Sequence, residues 1–187
     1  MAERKTQKLE KKSFFEVKVP MTSAKVYLYS SSADSLVGKA IKLDLTRSLR
    51  GKSLELKAKI KKDAEGLVGE PVSVILAGSY VRRMMRKGAD YIEDSFIAEC
   101  KDGKMIVKPF MITRNKVSRT VRNKIRMGAK EYILAQFKSR EIREAITSVI
   151  SNKIQKELSQ KLKKIYPLAV CEIRWLEAIE PKEELKQ

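Results

Sequence analysis

Alternating apolar and polar residues in the first half of the chain predict short β-strands, because successive side chains of a strand point to opposite faces of a sheet. The alternation occurs in the segments 15–19, 25–29, 41–45 and 54–60. Arg50-Gly51-Lys52 lies between the last two segments and has the composition of a turn. We therefore predict a hairpin there with one buried face.

Two further strands are predicted on either side of Asp102-Gly103, a dipeptide typical of hairpin turns. The first covers 91–100, and the return strand begins at Met105. Pro109 has no backbone N–H to donate, which predicts that it lies at an edge or at the end of this strand. We expect a last strand over 169–175 that returns to the sheet.

Helical spacing of apolar residues begins in the segment 77–87 and recurs after residue 117. On an ideal helix Arg119, Arg122, Arg126 and Lys130 fall within about 80° of one another, away from the apolar side chains. One face of this helix is therefore expected to pack on the sheet, and the other to be basic.

A long surface helix is predicted after Ser139, which is suited to cap its first turn, and Tyr166-Pro167 ends it. Its apolar residues recur every four positions, so the stripe drifts round the helix by about 40° per step. We expect this stripe to be mainly core, with only its drifting end available to a partner protein.

These elements predict an α+β fold with a small antiparallel β-barrel core and peripheral α-helices in the C-terminal half. A single globular domain is expected over 13–176, with barrel strands over about 13–113, helices over about 117–165 and a return strand over about 168–176. Residues 1–12 are predicted to be a flexible basic arm, and residues 177–187 a short acidic tail.

The charge is strongly positive: 41 Lys and Arg against 23 Asp and Glu give a formal net charge of +18 on 187 residues. The excess is organised in runs, one of which extends from Arg114 to Lys130 without an acidic residue. Arginine favours bidentate contacts with phosphate, so these runs predict nucleic-acid binding. The candidate RNA-binding residues are Arg82, Arg83, Arg86, Lys87, Arg114, Lys116, Arg119, Arg122, Lys124, Arg126 and Lys130.

Aromatic residues make up only 6% of the chain, and no aromatic-rich RNA-recognition motif is present. We expect Tyr91, Phe96 and Tyr132 to belong to the core and not to stack on bases. Recognition should then depend on the shape and backbone of RNA more than on a single-stranded sequence.

Several kinds of chemistry find no support in the residues. The chain has no histidine, and Cys100 and Cys171 are too far apart to resemble a closed metal site, so we predict no catalytic residue, metal or cofactor. Leu36-Val37-Gly38-Lys39 resembles the end of a phosphate-binding loop but has the wrong flanking residues, and a turn before a strand is expected instead. With no leader-like or membrane-spanning apolar stretch, a cytoplasmic protein is expected.

Several segments resemble the small-subunit ribosomal protein family of archaea and eukaryotes called S-three-a-e, also named e-S-one. The most specific are Asp102-Gly103-Lys104-Met105 and Lys163-Lys164-Ile165-Tyr166-Pro167. The others are Lys11 to Val17, Leu36 to Lys39, Asp44 to Thr46, Tyr80 to Lys87, Ile92 to Asp94 and Glu172 to Arg174. Residues 21–32 depart from the resemblance because they lack the family's usual glycine-containing pattern.

The resemblance implies a structural constituent of the small ribosomal subunit, and not an enzyme. It implies a β-barrel core seated on the platform near the messenger exit, with an archaeal type favoured. The implied partners are small-subunit rRNA, neighbouring ribosomal proteins and messenger RNA near the exit channel, with no membrane. Three other classes are weaker alternatives: a free RNA- or DNA-binding regulator, a nucleic-acid-modifying enzyme and a membrane-surface protein.

Overall fold

The alternating and helical segments form a mixed α+β fold in the computed structural model, which describes residues 12–22, 25–49, 51–63 and 66–179. The strands are β1 (Ser13–Lys18), β2 (Lys25–Ser30), β3 (Ala40–Asp44), β4 (Leu54–Asp63), β5 (Gly66–Leu76), β6 (Tyr91–Glu93), β7 (Phe96–Cys100), β8 (Gly103–Thr113) and β9 (Leu168–Ile179). The helices are α1 (Gly78–Met84), α2 (Arg119–Lys138), α3 (Ile142–Ile150) and α4 (Lys153–Leu162). A short 3-10 helix covers Asp34–Leu36.

The predicted basic arm lies outside the described residues except for Lys12, and so does the acidic tail beyond Ile179. The expected turn before a strand at Leu36 to Lys39 is confirmed, because Gly38 has a φ of 83° and β3 begins at Ala40. Strand β5 was not predicted from the sequence. Its glycines and Pro71 interrupt the alternation that marks the other strands.

The single long helix predicted after Ser139 is wrong, since α3 and α4 are separate. Asn152 lies between them with a φ of 58°, a left-handed conformation that an α-helix cannot continue. The predicted cap is also wrong: Ser139 ends α2, its hydroxyl donates to the Gln136 carbonyl, and Glu141 precedes α3. Because the helix is divided at Asn152, α3 and α4 can each turn their apolar residues toward the core. Ile146 on α3 and Ile154 on α4 are both fully buried.

The strands form a nine-stranded sheet in which the described ladders run β2-β1-β5-β9-β8-β6, with β4 beside β3 and β5, and β7 beside β8. Within the described ranges these ladders do not close on themselves, so the barrel part of the predicted fold is not confirmed. The β1–β5 pair is parallel, whereas a purely antiparallel core was predicted. The α+β class is confirmed.

The chain divides into two compact units, residues 1–41 with 58–70 and residues 42–57 with 71–187. In the first unit β1 pairs with β2 along its whole length and with β5 at Leu67 and Val68. In the second unit β5 pairs with β9 at 73–75, and β9 pairs with nearly all of β8. The single domain predicted for residues 13–176 stays a prediction.

Pro109 does not end β8, contrary to the sequence prediction. The strand continues to Thr113 and pairs with β9 on one side and with β6 and β7 on the other. The register to β9 shifts between Lys108 and Pro109, which places the proline at a bulge where the missing N–H interrupts the ladder least. The predicted hairpin between β7 and β8 is confirmed, since Cys100 pairs with Gly103.

Helix α2 is tied to α4 through Tyr132, whose hydroxyl donates to the Glu157 carboxylate at 2.5 Å. The Lys161 ammonium lies 4.3 Å from the centroid of the same ring. Burial, followed by the hydrogen bond and charge of Glu157, raises the pKa of Tyr132 to about 12, from an ordinary value of 10.0. The neutral phenol therefore stabilises the fold below pH 10, and this contribution is lost as the pH rises from 10 towards 12.

We expect Tyr132→Phe to lower the free energy of unfolding by about 1 kcal/mol at neutral pH, the net value of one such hydrogen bond. The difference from the wild type should shrink above pH 10, because only the wild type has a phenol at this position to ionise. Urea unfolding at several pH values measures this. The absorbance of ionised tyrosine can be followed against pH in both folded proteins. If the variant kept the most alkaline step of this titration, that step would not belong to Tyr132 and the assignment would be wrong.

Candidate nucleic-acid interface

The candidate RNA-binding residues lie on the surface of the second unit, and all except Lys130 are exposed. Lys130 is half-buried, and its ammonium lies 5.9 Å from the centroid of the Phe96 ring. This cation–π contact holds the Lys130 ammonium against the protein's own Phe96 ring. The other candidates lie on helices α1 and α2 or in the segments next to them.

A hydrogen-bonded junction between Asp90 and Thr113 fixes the start of α2. The Thr113 hydroxyl accepts from the Asp90 N–H at 3.0 Å and donates to the Asn115 carbonyl at 2.7 Å. The Val117 N–H donates to the Asp90 carboxylate at 2.9 Å. The next residue, Ser118, caps α2 by accepting from the Val121 N–H. The junction therefore holds the end of β8, the chain before β6 and the first turn of α2 together.

An open cleft of about 460 Å³ lies between the first three turns of α2 and strand β6. We call it the α2 cleft, and its lining residues are Asp90, Tyr91, Ile92, Glu93, Arg119, Arg122, Asn123 and Arg126. The arginines share one side of α2, as predicted, because its other side buries Ile125, Ala129 and Ile133. The helix thus presents three guanidinium groups to one concave surface.

The carboxylates that line the α2 cleft do not form ion pairs with its arginines. Asp90 accepts the Val117 N–H, and Glu93 pairs with Arg174 at 2.8 Å. In the described part of the chain, no carboxylate lies within ion-pair distance of the guanidinium groups that line this cleft. Those groups are therefore available to an anion from outside.

The orientation of α2 adds to the positive potential of the cleft. Its 20 residues begin at Arg119, and its first turn contains no acidic side chain. The aligned peptide dipoles place a partial positive charge at this end, next to Arg119 and Arg122. The helix end and the arginines therefore favour the same kind of ligand, a phosphate or another oxyanion.

A second open cleft, of about 620 Å³, lies beside α1. We call it the α1 cleft, and its lining residues are Tyr80, Arg83, Met84, Arg86, Lys87, Ala89, Ile112, Thr113, Arg114, Ala169 and Val170. The Arg83 guanidinium lies 5.5 Å from the centroid of the Tyr80 ring. Arg86 and Lys87 follow the end of α1 instead of extending it, since the helix ends at Met84.

The sequence predicted two arginine clusters, and the structure adds one member to the first of them. Arg114 belongs by sequence to the run that ends at Lys130, but it lines the α1 cleft. Arg82, Lys116, Lys124 and Lys130 line neither cleft. The phosphate-binding role of all these residues stays a prediction.

The prediction that Tyr91 belongs to the core is wrong. Its side chain is 62% exposed and lines the α2 cleft, because β6 turns Ile92 inward and its two neighbours outward. Phe96 and Tyr132 are buried, as expected. The sequence holds only a weak signal of this, since alternation places Tyr91 on the same face as the charged Glu93 and opposite to Ile92.

Other chemistry receives no support from the described residues. None of their His, Cys, Asp and Glu side chains form a group of three or more that could hold a metal ion. Burial, and then the charge of Glu172, raises the pKa of Cys171 to about 12, so this thiol stays protonated near neutral pH and is a poor nucleophile. In the same part of the chain, no helix is long and apolar enough to cross a membrane.

The α+β fold, the net charge of +18 and the two arginine-lined clefts are typical of the class of proteins that bind nucleic acids. A model of the Ribosomal S3Ae family matches residues 1–181. The chain therefore belongs to the Ribosomal S3Ae family. This confirms the resemblance inferred from the sequence.

Archaeal relatives support the same assignment. A protein of Methanothermobacter thermautotrophicus named small ribosomal subunit protein eS1 is 28% identical over 133 residues, covering 68% of this chain and 68% of the relative. A protein of the same name from Nanoarchaeum equitans is 25% identical over 183 residues, covering 94% and 92%. A third, from Methanobrevibacter smithii, is 22% identical over 173 residues, covering 88% and 89%.

The family assignment also confirms the predicted general function. Members of a ribosomal protein family act in translation as structural constituents of the ribosome, and not as enzymes. Membership of a ribosomal protein family also implies association with rRNA and with other ribosomal proteins, as predicted. Which residues of this chain contact RNA is a separate question.

Proposed function

We propose that this protein is a structural constituent of the small ribosomal subunit in the cytoplasm, and that its α1 and α2 clefts bind the phosphate backbone of small-subunit rRNA. The observation that carries the proposal is the set of exposed arginines in the α2 cleft, which have no acidic partner among the residues that the structure describes. Guanidinium groups form bidentate contacts with phosphate, and an adjacent helix N-terminus strengthens them.

Two clefts serve this function better than one basic surface. Each cleft is supplied by a different helix, α1 or α2, and the Asp90–Thr113 junction positions residues of both, Arg114 on one side and Arg119 on the other. Their arginines therefore hold fixed relative positions. A ligand that matches both clefts must present phosphates at a fixed spacing, as a folded RNA does and a flexible polyanion does not.

Finer parts of the proposal rest on the family resemblance. They are a position on the platform near the messenger exit, contacts with neighbouring small-subunit proteins, and messenger RNA near the exit channel as a further partner. The stripe itself ends at Leu162, which is buried, but Ile165 three residues later is 41% exposed and offers one surface for a neighbouring protein.

Membership of the subunit is tested by sedimentation of a cell lysate on a sucrose gradient, followed by a high-salt wash of the small-subunit fraction. We expect the protein at near-stoichiometric amounts in washed small subunits. Recovery at the top of the gradient, or complete loss at modest salt, would favour a free RNA-binding factor instead.

The phosphate contacts are tested by the salt dependence of binding between the purified protein and small-subunit rRNA. If about eight phosphates are neutralised, the plot of log K against log salt concentration should have a slope of roughly −6 to −7, because each contact releases condensed counterions. Filter binding or fluorescence anisotropy measures it. An affinity nearly independent of salt would exclude phosphate binding as the main source of affinity.

A further inference from the structure

Three aromatic side chains project into solvent from one face of the β1–β2 hairpin in the first unit. Phe14 is 71% exposed, and Tyr27 and Tyr29 are each 60% exposed. Phe14 and Tyr29 are directly opposite each other in the antiparallel register, and their ring centroids are 5.0 Å apart. Tyr27 lies two residues before Tyr29 and therefore on the same face.

These side chains are not needed for the core of the hairpin. The residues that alternate with them, Phe15 and Val17 on β1 and Leu28 on β2, are shielded from solvent to a greater degree, and Val17 is fully buried. The hairpin therefore has one face for packing and one aromatic face. An exposed aromatic cluster of this kind marks a binding surface more often than isolated apolar residues do.

The charges around the aromatic face indicate what it binds. The Lys12 ammonium lies 5.8 Å from the centroid of the Tyr29 ring, and Lys18 and Lys25 form the pair at the other end of the ladder. Glu16, the one acidic residue of β1 and β2, is bridged by Lys25 at 3.1 Å. The face is therefore aromatic in the middle and positive at both ends.

We propose that the aromatic face of the β1–β2 hairpin is a stacking surface for the unpaired bases of a single-stranded RNA segment. The rings supply flat surfaces on which bases stack, and the flanking lysines contact the phosphates that connect those bases. Lys25 is already paired with Glu16, but an apolar peptide would leave Lys12 and Lys18 without an anion, whereas a single strand matches both the rings and these two charges. The chemistry differs from that of the arginine clefts, which offer mainly charge.

The inference goes beyond the proposed function because it assigns a second kind of RNA ligand to a different part of the chain. The clefts bind backbone phosphates of folded RNA, whereas the aromatic face binds exposed bases with little regard to their identity, since every base has a π-face. An experiment can therefore exclude RNA binding at one of these two sites without excluding it at the other.

The test uses the full-length protein with Phe14, Tyr27 and Tyr29 all replaced by alanine. The probes are a single-stranded oligoadenylate and a fully paired RNA duplex, each with a fluorescent label. We expect the alanine variant to bind the oligoadenylate at least about tenfold more weakly than the wild type, because base–aromatic stacking is lost. Its affinity for the duplex should change by less than about twofold, because the duplex binds through phosphates.

A matched variant with Tyr27→Phe and Tyr29→Phe keeps the rings and removes only the hydroxyl groups. It should bind the oligoadenylate as the wild type does. Loss of binding in this variant would exclude stacking as the cause. Circular dichroism and thermal melting confirm that each variant is folded, which we expect because the replaced side chains are exposed.

Three results would overturn the proposal. The alanine variant could bind oligoadenylate as tightly as the wild type, or its affinity for the duplex could fall as much as its affinity for oligoadenylate. Alternatively, sedimentation could show that the wild type self-associates and the alanine variant does not, in which case the face joins two copies of the chain. The proposed function is tested independently, because replacing the arginines of the α2 cleft should weaken binding of the duplex. In that background the alanine variant should still bind oligoadenylate more weakly than the phenylalanine variant.

Discussion

Replacing Arg119, Arg122 and Arg126 with glutamine should weaken binding to small-subunit rRNA by about two to three orders of magnitude at about 0.1 M monovalent salt. All three side chains are exposed and line the α2 cleft, where no carboxylate of the described residues pairs with them. Each lost phosphate contact removes roughly 0.9 from the slope of log K against log salt concentration, so the slope should fall by almost 3. Fluorescence anisotropy across a salt series measures both quantities.

The glutamine variant should remain folded, because the arginines are on the solvent side of α2 and the apolar side is unchanged. The matched control replaces Lys153, Lys156 and Lys163 with glutamine. These lysines are also exposed, belong to α4 or its end, and line neither cleft. The control removes the same charge and should change the affinity by less than about tenfold, as expected from long-range electrostatics screened by salt.

Equal losses in the glutamine variant and the α4 control would mean that net charge, and not the α2 cleft, determines affinity. A single Arg122→Lys variant refines the test. It keeps the charge but loses the planar guanidinium group, which binds phosphate through two parallel hydrogen bonds. The salt slope should therefore stay near the wild-type value while the affinity falls. A fall in the slope as well would mean that the lysine no longer contacts the phosphate, although the charge is kept.

The sequence predicted the elements whose pattern is local. Leu54, Leu56, Ala58 and Ile60 alternate with charged residues and are all fully buried on one face of β4. The basic side of α2 was also predictable, because helical periodicity separates its arginines from Ile125 and its other buried residues. In both cases the side chains that decide the structure are neighbours in sequence.

Features that depend on single backbone conformations were not predictable in this way. Asn152 splits the expected long helix, although asparagine inside an apolar stripe also occurs in unbroken helices. Pro109 sits within a central strand because a bulge at Lys108 accommodates it, and a bulge has no strong signature in the sequence. The tertiary context decides both positions.

The candidate site was predictable in composition but not in grouping. Arg114 and Arg119 are five positions apart, yet the chain turns between them at the Asp90–Thr113 junction and assigns them to different clefts. Tyr91 enters the α2 cleft because it alternates with the buried Ile92 in β6, so its place in the strand and not its hydrophobicity sets its direction. Contacts between residues distant in sequence, such as Asp90 with Val117, decide which charges meet.

Lys52 illustrates the same limit in the core of the second unit. The sequence predicted only a turn at this position, but its side chain is 7% exposed. Its ammonium lies 2.5 Å from the Glu172 carboxylate on β9 and 2.6 Å from the Asn152 side-chain oxygen. A lysine that reaches across 100 and 120 positions of sequence therefore ties the turn before β4 to β9 and to the residue that separates α3 from α4.

We expect Lys52→Met to lower the free energy of unfolding by about 3 kcal/mol, near the lower end of the range for breaking a buried ion pair because Glu172 is 18% exposed. The methionine fills the space of the lysine stem but leaves the Glu172 carboxylate without its cation. For a chain of this size the midpoint of thermal unfolding should fall by roughly 6–12 °C. Urea unfolding and calorimetry measure the two quantities.

Two further variants decide whether the buried ion pair causes this loss. Lys62→Met breaks the exposed pair with Asp34, whose partners are 63% and 77% exposed, and should cost less than about 1 kcal/mol. Adding Glu172→Gln to Lys52→Met removes the stranded charge and should restore part of the stability, because an uncompensated buried carboxylate is the main cost of breaking the pair. If Lys52→Met and Lys62→Met were equally mild, or if the double variant were less stable than Lys52→Met alone, the contact with Glu172 would not hold β9 in place. In that case the turn before β4 would owe its position to the burial of Leu54 and Leu56 instead.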